Sequence, residues 1–372
     1  MRVTSIALRD FRSYATAAAP LGGGLTLVLG RNGAGKTNLL EALYFGCTGR
    51  SCRTANEREL VRFGAQTTRV VVRTADIYGE HELAVGFTPS EPKRMTVDGA
   101  PVERLLDVDN RPLVSVFLPD RLELVKGAPA LRRAHLDQFV TAVWPARAAT
   151  RRAYAQALAQ RNALLARLRS GAGSHSALQT WDMQLAAAAL ALMEDRRQAV
   201  ELLGPEFSTA CGELGLEGEL LIAYRPRSRA QDAAQLAEEL RARLAADLER
   251  GFTAHGPHRD ELSITRDGRE LRTYGSQGQQ RLALLGLLLA ERAVISHHRE
   301  SVPLMLLDDV MSELDSQRRR ALIDALLAGG GQTLITATDA DQVPAAELPG
   351  VLRIEVDSGQ LHVSGDSGRA LR

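Results

Sequence analysis

Three short stretches carry residues whose types and spacing suit phosphate chemistry. The first is LTLVLGRNGAGKT, residues 25–37. Its closing part matches G-x-x-x-x-G-K-[ST], the phosphate-cradling P-loop. Gly30, Arg31, Asn32, Gly33, Ala34 and Gly35 supply loop amides, Lys36 reaches the β- and γ-phosphates, and Thr37 presents a hydroxyl to Mg²⁺. A glycine-rich turn in an ordinary βα unit is the competing explanation. The apolar run before the loop and the amphipathic segment after it favour the P-loop. The second stretch is Leu304–Asp309, four apolar residues ending in two carboxylates. Two unpaired acids are costly to bury, which argues for a chemical role, with Asp308 facing the metal and Asp309 orienting or deprotonating water. The third is Ser276-Gln277-Gly278-Gln279 at the head of a long apolar helix. Ser276 and Gln279 sit at capping-box spacing, and the free amides of that first turn, with Ser276, Gly278 and Gln279, also suit a second anion site. Because the P-loop already covers one side of a triphosphate, this second helix end is expected to meet the γ-phosphate of another subunit. ATP would then join a homodimer.

The elements that must position these groups follow from periodicity. Residues 25–29 form a buried parallel strand and 37–45 the helix behind the loop. Ahead of them, residues 3–8 are a strand, followed by Phe11-Arg12-Ser13-Tyr14. Arg12 is either a nucleotide contact, if its strand neighbours the one entering the P-loop, or a plain surface arginine. Short β-prone runs at 69–74, 82–87 and 94–97, with Asp98-Gly99 as a hairpin turn, predict an antiparallel patch. Residues 113–118 form another strand, ending at Pro119-Asp120. From Pro129 to about Leu203 the chain predicts at least three helices, the last two a hairpin around residues 170–174. A strand at 220–224 and a helix at 232–250 follow. After a hairpin at 264–271 come the long helix at 282–294, the strand at 304–307, a helix at 317–327 and a strand at 333–336. A terminal hairpin at 352–363 precedes a tail expected to be disordered after Gly365.

Composition narrows the class. At 372 residues the chain has room for two or three domains, and 45% apolar residues suffice for a sizeable core. Charges nearly cancel at +1, so only local clustering bears on partners. The one strongly basic region runs from Lys126 to Arg169, with Asp137 its single acid. Arg132, Arg133, Arg151 and Arg152 are candidates there for DNA-backbone contacts, against the alternative of solvated helix faces. Three cysteines make no paired framework, the first residues lack a signal-peptide core, and no apolar run approaches a bilayer span. A cytoplasmic protein without a membrane partner is expected.

These motifs together resemble the ATP-binding-cassette ATPase heads of the SMC class. More specific stretches are similar to the RecF family of recombination mediators: Pro119-Asp120, Val125-Lys126-Gly127-Ala128-Pro129, Arg132-Arg133 and Leu136-Asp137; Leu306-Leu307-Asp308-Asp309 with Ser312-Glu313-Leu314-Asp315; Gly256-Pro257-His258-Arg259-Asp260; and Leu8 with Phe11-Arg12. The resemblance runs from Met1 to about Val363. It implies an α/β fold: a P-loop cassette head, with a mixed sheet, flanking helices and an antiparallel β patch, and an inserted α-helical domain. The expected division is 1–125 for the first part of the head, 126–250 for the helical lobe, 251–365 for the second part and 366–372 for the tail. Asp309, Lys36 and Ser276 are the expected catalytic residues, Thr37 and Asp308 the metal ligands, ATP and Mg²⁺ the ligands.

Some residues depart from the patterns. His135 stands where RecF proteins carry an aromatic, Asp309 replaces the glutamate of most cassettes, and residues 336–339 offer no switch histidine. No glutamine follows the strand at Leu118. Slow hydrolysis that times assembly is therefore expected. The resemblance implies action at single-strand gaps and duplex junctions, with RecR and RecO as partners. The alternative is the ATPase subunit of a membrane transporter. It is disfavoured by the long Lys36–Ser276 separation, the absence of a double glycine beside Ser276 and the missing histidine. A fragment of a long coiled-coil SMC protein fits less well, and a clamp that binds ATP without hydrolysing it is a further reading.

Overall fold

The computed structural model describes residues 1–108, 111–118, 122–171 and 175–364. Pro119, Asp120, residues 172–174 of the expected turn and the tail at 366–372 lie outside them. The chain divides into two compact units. The first comprises Met1–Arg121, Glu213–Gly215 and Ile295–Arg372; the second comprises Leu122–Gly212 and Leu216–Val294. The expected return to the head at residue 251 thus differs from the contacts, which keep 251–294, including Ser276, with the helices.

The first unit holds two six-stranded sheets with one helix between them. An antiparallel sheet is formed by β1 (Arg2–Phe11), β2 (Tyr14–Pro20), β4 (Thr68–Ala75), β5 (Glu80–Phe87), β6 (Arg94–Val97) and β7 (Ala100–Val102), in the order β2-β1-β4-β5-β6-β7. The turn between β6 and β7 has Asp98 and Gly99 both at positive φ, the geometry a tight hairpin favours. The other sheet contains β3 (Leu25–Leu29), β8 (Val114–Phe117), β12 (Leu304–Leu307), β13 (Thr333–Ala337), β14 (Leu352–Asp357) and β15 (Gln360–Ser364). Its order is β15-β14-β3-β13-β12-β8, parallel throughout except for β15. Parallel central strands are covered on both faces, which is why β3 and β12 are near-continuous apolar runs. Helix α1 (Lys36–Thr48) is packed by both sheets: its Leu39, Leu40, Leu43 and Phe45 share one core with Ile6, Leu8, Val70 and Val72 and with Val28, Leu306 and Leu334. Gly46 permits this approach, since a Cβ there would lie 2.4 Å from Val72 Cγ2. Helix α10 (Ser316–Ala328) begins at Asp315, whose carboxylate accepts from the Arg318 amide at 2.9 Å.

The second unit is mainly helical, with α2 (Glu123–Lys126), α3 (Pro129–Val143), α4 (Ala148–Arg169), α5 (His175–Glu213) up to Gly212, α6 (Ala233–Ala242), α7 (Leu244–Arg250), α8 (Leu271–Tyr274) and α9 (Gln277–Arg299) up to Val294. A small antiparallel sheet joins β9 (Leu220–Arg225), β10 (Glu261–Arg266) and β11 (Arg269–Glu270) in the order β11-β10-β9. The expected helix at 232–250 is broken at Arg243, and α5 runs beyond Leu203 through Pro205. Proline costs an intrahelical bond, but Leu203, Phe207 and Cys211 are buried on either side and hold the helix together. Leu236, Ala237 and Leu240 of α6 pack with Tyr154, Ala157 and Leu185.

Beneath that apolar layer lies a buried ionic centre. Arg161 is fully buried and donates to Asp182 at 2.7 Å, Asp247 at 2.7 Å and the Thr253 hydroxyl at 2.8 Å. Removing one partner of such a group leaves uncompensated buried charge. Arg161→Leu is therefore expected to destabilise the protein by about 3–5 kcal/mol, read as a lowered urea midpoint. A change below about 1 kcal/mol would assign the centre no structural weight.

Candidate nucleotide site

The loop after β3 owes its shape to glycine. A Cβ on Gly30 would meet the Val356 carbonyl oxygen at 2.5 Å, so only glycine lets the chain leave β3 alongside β14. Gly35, at φ 119°, starts α1 without a side-chain cap, and no acid occupies the first turn. The first amides of α1 are thus left for an external acceptor, at the positive end of the helix dipole. Arg31, Asn32 and Gly33 are exposed around this opening. The β1–β2 hairpin tip braces the loop: the Tyr14 hydroxyl donates to the Gly35 carbonyl at 2.9 Å.

Lys36 folds back over the loop, its Nζ donating to the carbonyls of Gly30 at 2.7 Å and Arg31 at 3.1 Å. Burial lowers its pKa, with Asp309 and Asp308 pulling the other way. Thr37 Oγ1 donates to the Asp308 carboxylate, 2.8 Å from Oδ2 and 3.0 Å from Oδ1. On the other side the Thr336 hydroxyl donates to Asp308 Oδ1 at 2.7 Å and accepts the Asp309 amide at 2.8 Å. Burial raises the Asp308 pKa, and the two hydroxyl donors offset part of that shift. A hydroxyl and a carboxylate beside the uncapped amides of α1 form a hard-oxygen set that suits Mg²⁺, so these residues fit the ion. Asp309 is half-buried and adopts a left-handed backbone, φ 48° and ψ 28°, which turns the chain sharply after Asp308.

Sequence reasoning does not single out Thr336 as a site residue; there, residues 336–339 stand out only for lacking a histidine. The one signal is its place at the end of the apolar run 333–336, the strand that pairs with β12. Glu41 is missed as well. It lies one turn after Thr37, fully buried, and accepts from Arg12 twice at 2.9 Å, from Ser51 at 2.5 Å and from Arg53 at 3.2 Å. The neighbouring-strand premise for Arg12 is corrected, since β1 and β3 belong to different sheets; its guanidinium is held by Glu41, with Glu59 at 3.6 Å.

In the second unit, the Ser276 hydroxyl accepts the Gln279 amide at 3.3 Å and Gln279 Oε1 accepts the Ser276 amide at 2.9 Å, a reciprocal capping box. Gln280 is buried and donates to the Leu271 carbonyl at 3.0 Å and the Gly275 carbonyl at 3.1 Å, fixing the approach to α9. Ser276, Gln277 and Gly278 remain exposed, and a Cβ on Gly278 would meet nothing closer than Ser276 Oγ at 3.9 Å. Packing within the chain therefore does not require glycine there.

The basic candidates separate. Arg132 is corrected: it is 3% exposed, pairs with Glu261 at 2.7 Å and donates to the Gly127 carbonyl at 2.6 Å, so it cannot serve a DNA phosphate. Arg133 is half-buried and donates to the Asp260 carbonyl at 2.7 Å. Arg151 and Arg152 are exposed on α4. Among the described residues, no helix is long and apolar enough to cross a membrane.

Comparison with known proteins identifies the family and the fold. A family model described as "AAA domain" matches residues 5–94, the segment containing the P-loop. The DNA replication and repair protein RecF of Myxococcus xanthus (strain DK1622) is 38% identical over 99% of this chain and 98% of its own. A solved structure of the recombination mediator protein RecF with ATP, in the RecFOR pathway, superposes with a TM-score of 0.86 at 27% identity over 98% of both chains. An SMC head bound to the C-winged helix domain of ScpA shares the fold, with a TM-score of 0.60 at 16% identity over 98% of this chain and 97% of that one. The transporter reading falls away with full-length similarity of this kind, and the chain belongs to the RecF family of DNA replication and repair proteins.

Proposed function

We propose that this protein is an ATP-operated DNA clamp of recombinational repair. ATP closes a homodimer over single-strand gaps and duplex junctions, RecR- and RecO-type partners help load recombinase there, and slow hydrolysis releases the clamp in the cytoplasm. The observation that carries this reading is the meeting of Lys36, Thr37 and Asp308 at an uncapped helix end, beside the left-handed Asp309. On binding, Lys36 exchanges the Gly30 and Arg31 carbonyls for phosphate oxygens, and the α1 amides orient the triphosphate. Thr37 and Asp308 would hold Mg²⁺, which supplies neutralisation of the developing phosphate charge. Asp309 takes a proton from the attacking water. The unneeded glycine at 278 leaves space on the exposed cap of α9, which supports Ser276 meeting the nucleotide of a second copy. The short Asp309 side chain, without a histidine at 336–339, supports a slow chemical step. Arg151 and Arg152 remain candidate backbone contacts, and Arg133 a weaker one.

Lys36→Met is expected to abolish tight ATP binding and ATP-dependent dimerisation. Ser276→Arg should keep ATP binding by the monomer and block the dimer, as read by molecular mass with and without ATP. Equal loss of monomer binding in Ser276→Arg would put that residue in the same subunit's site.

Asp309→Asn should lower single-turnover phosphate release by about two to four orders of magnitude and lengthen the lifetime on gapped DNA. Normal hydrolysis, or fast departure without hydrolysis, would rule out the timing role.

The raised pKa of Asp308 has a defined sign. The folded state favours the protonated acid, so as pH rises through its folded pKa the carboxylate costs stability while gaining the charge that Mg²⁺ needs. Mg²⁺-dependent ATP affinity should therefore fall with decreasing pH above the ordinary aspartate range. Asp308→Asn should remove that dependence, weaken nucleotide binding and leave the ligand-free urea midpoint at neutral pH unchanged or higher. A lower midpoint would show the carboxylate to be stabilising.

A further inference from the structure

One edge of the antiparallel sheet presents arginines for which the fold itself has no use. Its inner face supplies Ile6, Leu8, Val70, Val72, Leu83 and Val85 to the core. On the outer face Arg9 of β1 stands directly opposite Arg69 of β4, both exposed. Like charges at directly opposed positions, with Cβ atoms about 5 Å apart, destabilise a sheet. Neither guanidinium has a hydrogen-bond or ion-pair partner among the described residues. The same row continues through Gly86 to Arg94 on β6, which among the described residues pairs with the exposed Glu91 at 3.3 Å. From β1 to β6 the row is about 14 Å wide at the usual strand spacing. The adjacent row is small, with Ala18, Ala7, Val71, Ala84 and Thr96 in register, and leaves the surface flat. At the far end of the face, by contrast, Arg73 is matched by Glu82 at 3.3 Å.

The same end carries the most exposed large apolar side chain of the described residues. Phe63 is 99% exposed. It sits at the tip of a turn closed by the Ala65 amide on the Arg62 carbonyl at 2.9 Å, with Gly64 at φ 83°. That turn is held firmly. The Arg62 amide donates to the Asp10 carbonyl at 2.9 Å and its Nε to Asp10 Oδ1 at 2.7 Å, while the Thr68 hydroxyl donates to the Arg9 carbonyl at 3.0 Å. The two ties adjoin the two opposed arginines. A hydrogen-bonded turn that holds an aromatic ring in water offers a π-face left uncovered by the described residues.

We infer that this sheet end is a nucleic-acid surface, where Arg9 and Arg69 hold phosphates and Phe63 stacks on an unpaired base at the edge of a gap. A polyanion relieves the opposed arginines, and an unstacked base at a gap presents its face to a ring without the cost of opening the duplex. The inference deepens the proposed DNA function and rests on it. It assigns the recognition of unpaired DNA to residues outside the basic helical segment.

The test uses the full chain with ATP and two DNAs, one with a single-strand gap carrying 2-aminopurine beside the junction and one uninterrupted duplex. Phe63→Ala should weaken binding to the gapped DNA by about tenfold or more, relieve 2-aminopurine quenching and leave duplex binding unchanged. Phe63→Trp should restore both readouts. The Arg9→Gln/Arg69→Gln double variant should weaken both DNAs and lower the salt slope by about 1.5. If the parent binds DNA and all these variants bind and quench as it does, the inference is wrong, the ring is left for a protein partner, and the clamp reading stands. If the parent binds neither DNA, both fall.

Discussion

The Asp308 carboxylate is the constraint around which the strand ends of the first unit's parallel sheet are arranged. It ends a strand whose four residues are all buried, and hydroxyls from two other elements, Thr37 and Thr336, hold it. Hydroxyls satisfy its oxygens without neutralising its charge, so burial still favours the protonated form. A fold that keeps such a group retains a standing demand for a cation. The parallel order β3-β13-β12 meets the geometric side of that demand, because it brings three strand ends together where open α/β sheets bind their ligands.

The helix behind the loop is equally constrained. With sheets on two sides and Gly46 in contact with β4, α1 has little room to tilt. Glu41 then fastens its outer side to Arg12, Ser51 and Arg53. This buried carboxylate is paired with guanidinium groups, whereas Asp308 has no direct cationic partner among the described residues. The two buried acids of this unit are therefore satisfied differently, Glu41 by guanidinium groups and Asp308 by hydroxyls.

The second unit uses buried ions for another purpose. Arg196 joins Asp137 at 2.8 Å and the Pro257 carbonyl at 2.8 Å, while Asp260 accepts from the Tyr224 hydroxyl and the Arg227 amide. His258 lies between the Tyr154 hydroxyl and the Thr253 carbonyl, and burial lowers its pKa, so it serves as a neutral bridge. The Gly256–Asp260 stretch, a family mark in the sequence, is thus mostly interior. It ties α4 and α5 to the small sheet, which gives the helices a defined register.

What the sequence determined by itself was local. The P-loop, the apolar strand ending in Asp308-Asp309, the Ser276–Gln279 capping box and the Asp98-Gly99 turn each lie within a few residues, where backbone geometry and hydrogen-bond reach are set by spacing alone. Tertiary structure decided the partners. Thr37 and Asp308 are 271 positions apart, and Thr336 shares that carboxylate only because β13 lies beside β12. Arg132 looks like a phosphate contact in the sequence because a sequence displays charge without its counter-charge. Its partner Glu261 lies 129 positions away, and the Asp260 carbonyl that Arg133 meets lies 127 positions away. Arg9 and Arg69 give no signal there for the converse reason: each is ordinary in its own strand, and only the register of β1 on β4 sets them face to face. Desolvation and cross-strand opposition are non-local, so burial and pairing had to come from the fold.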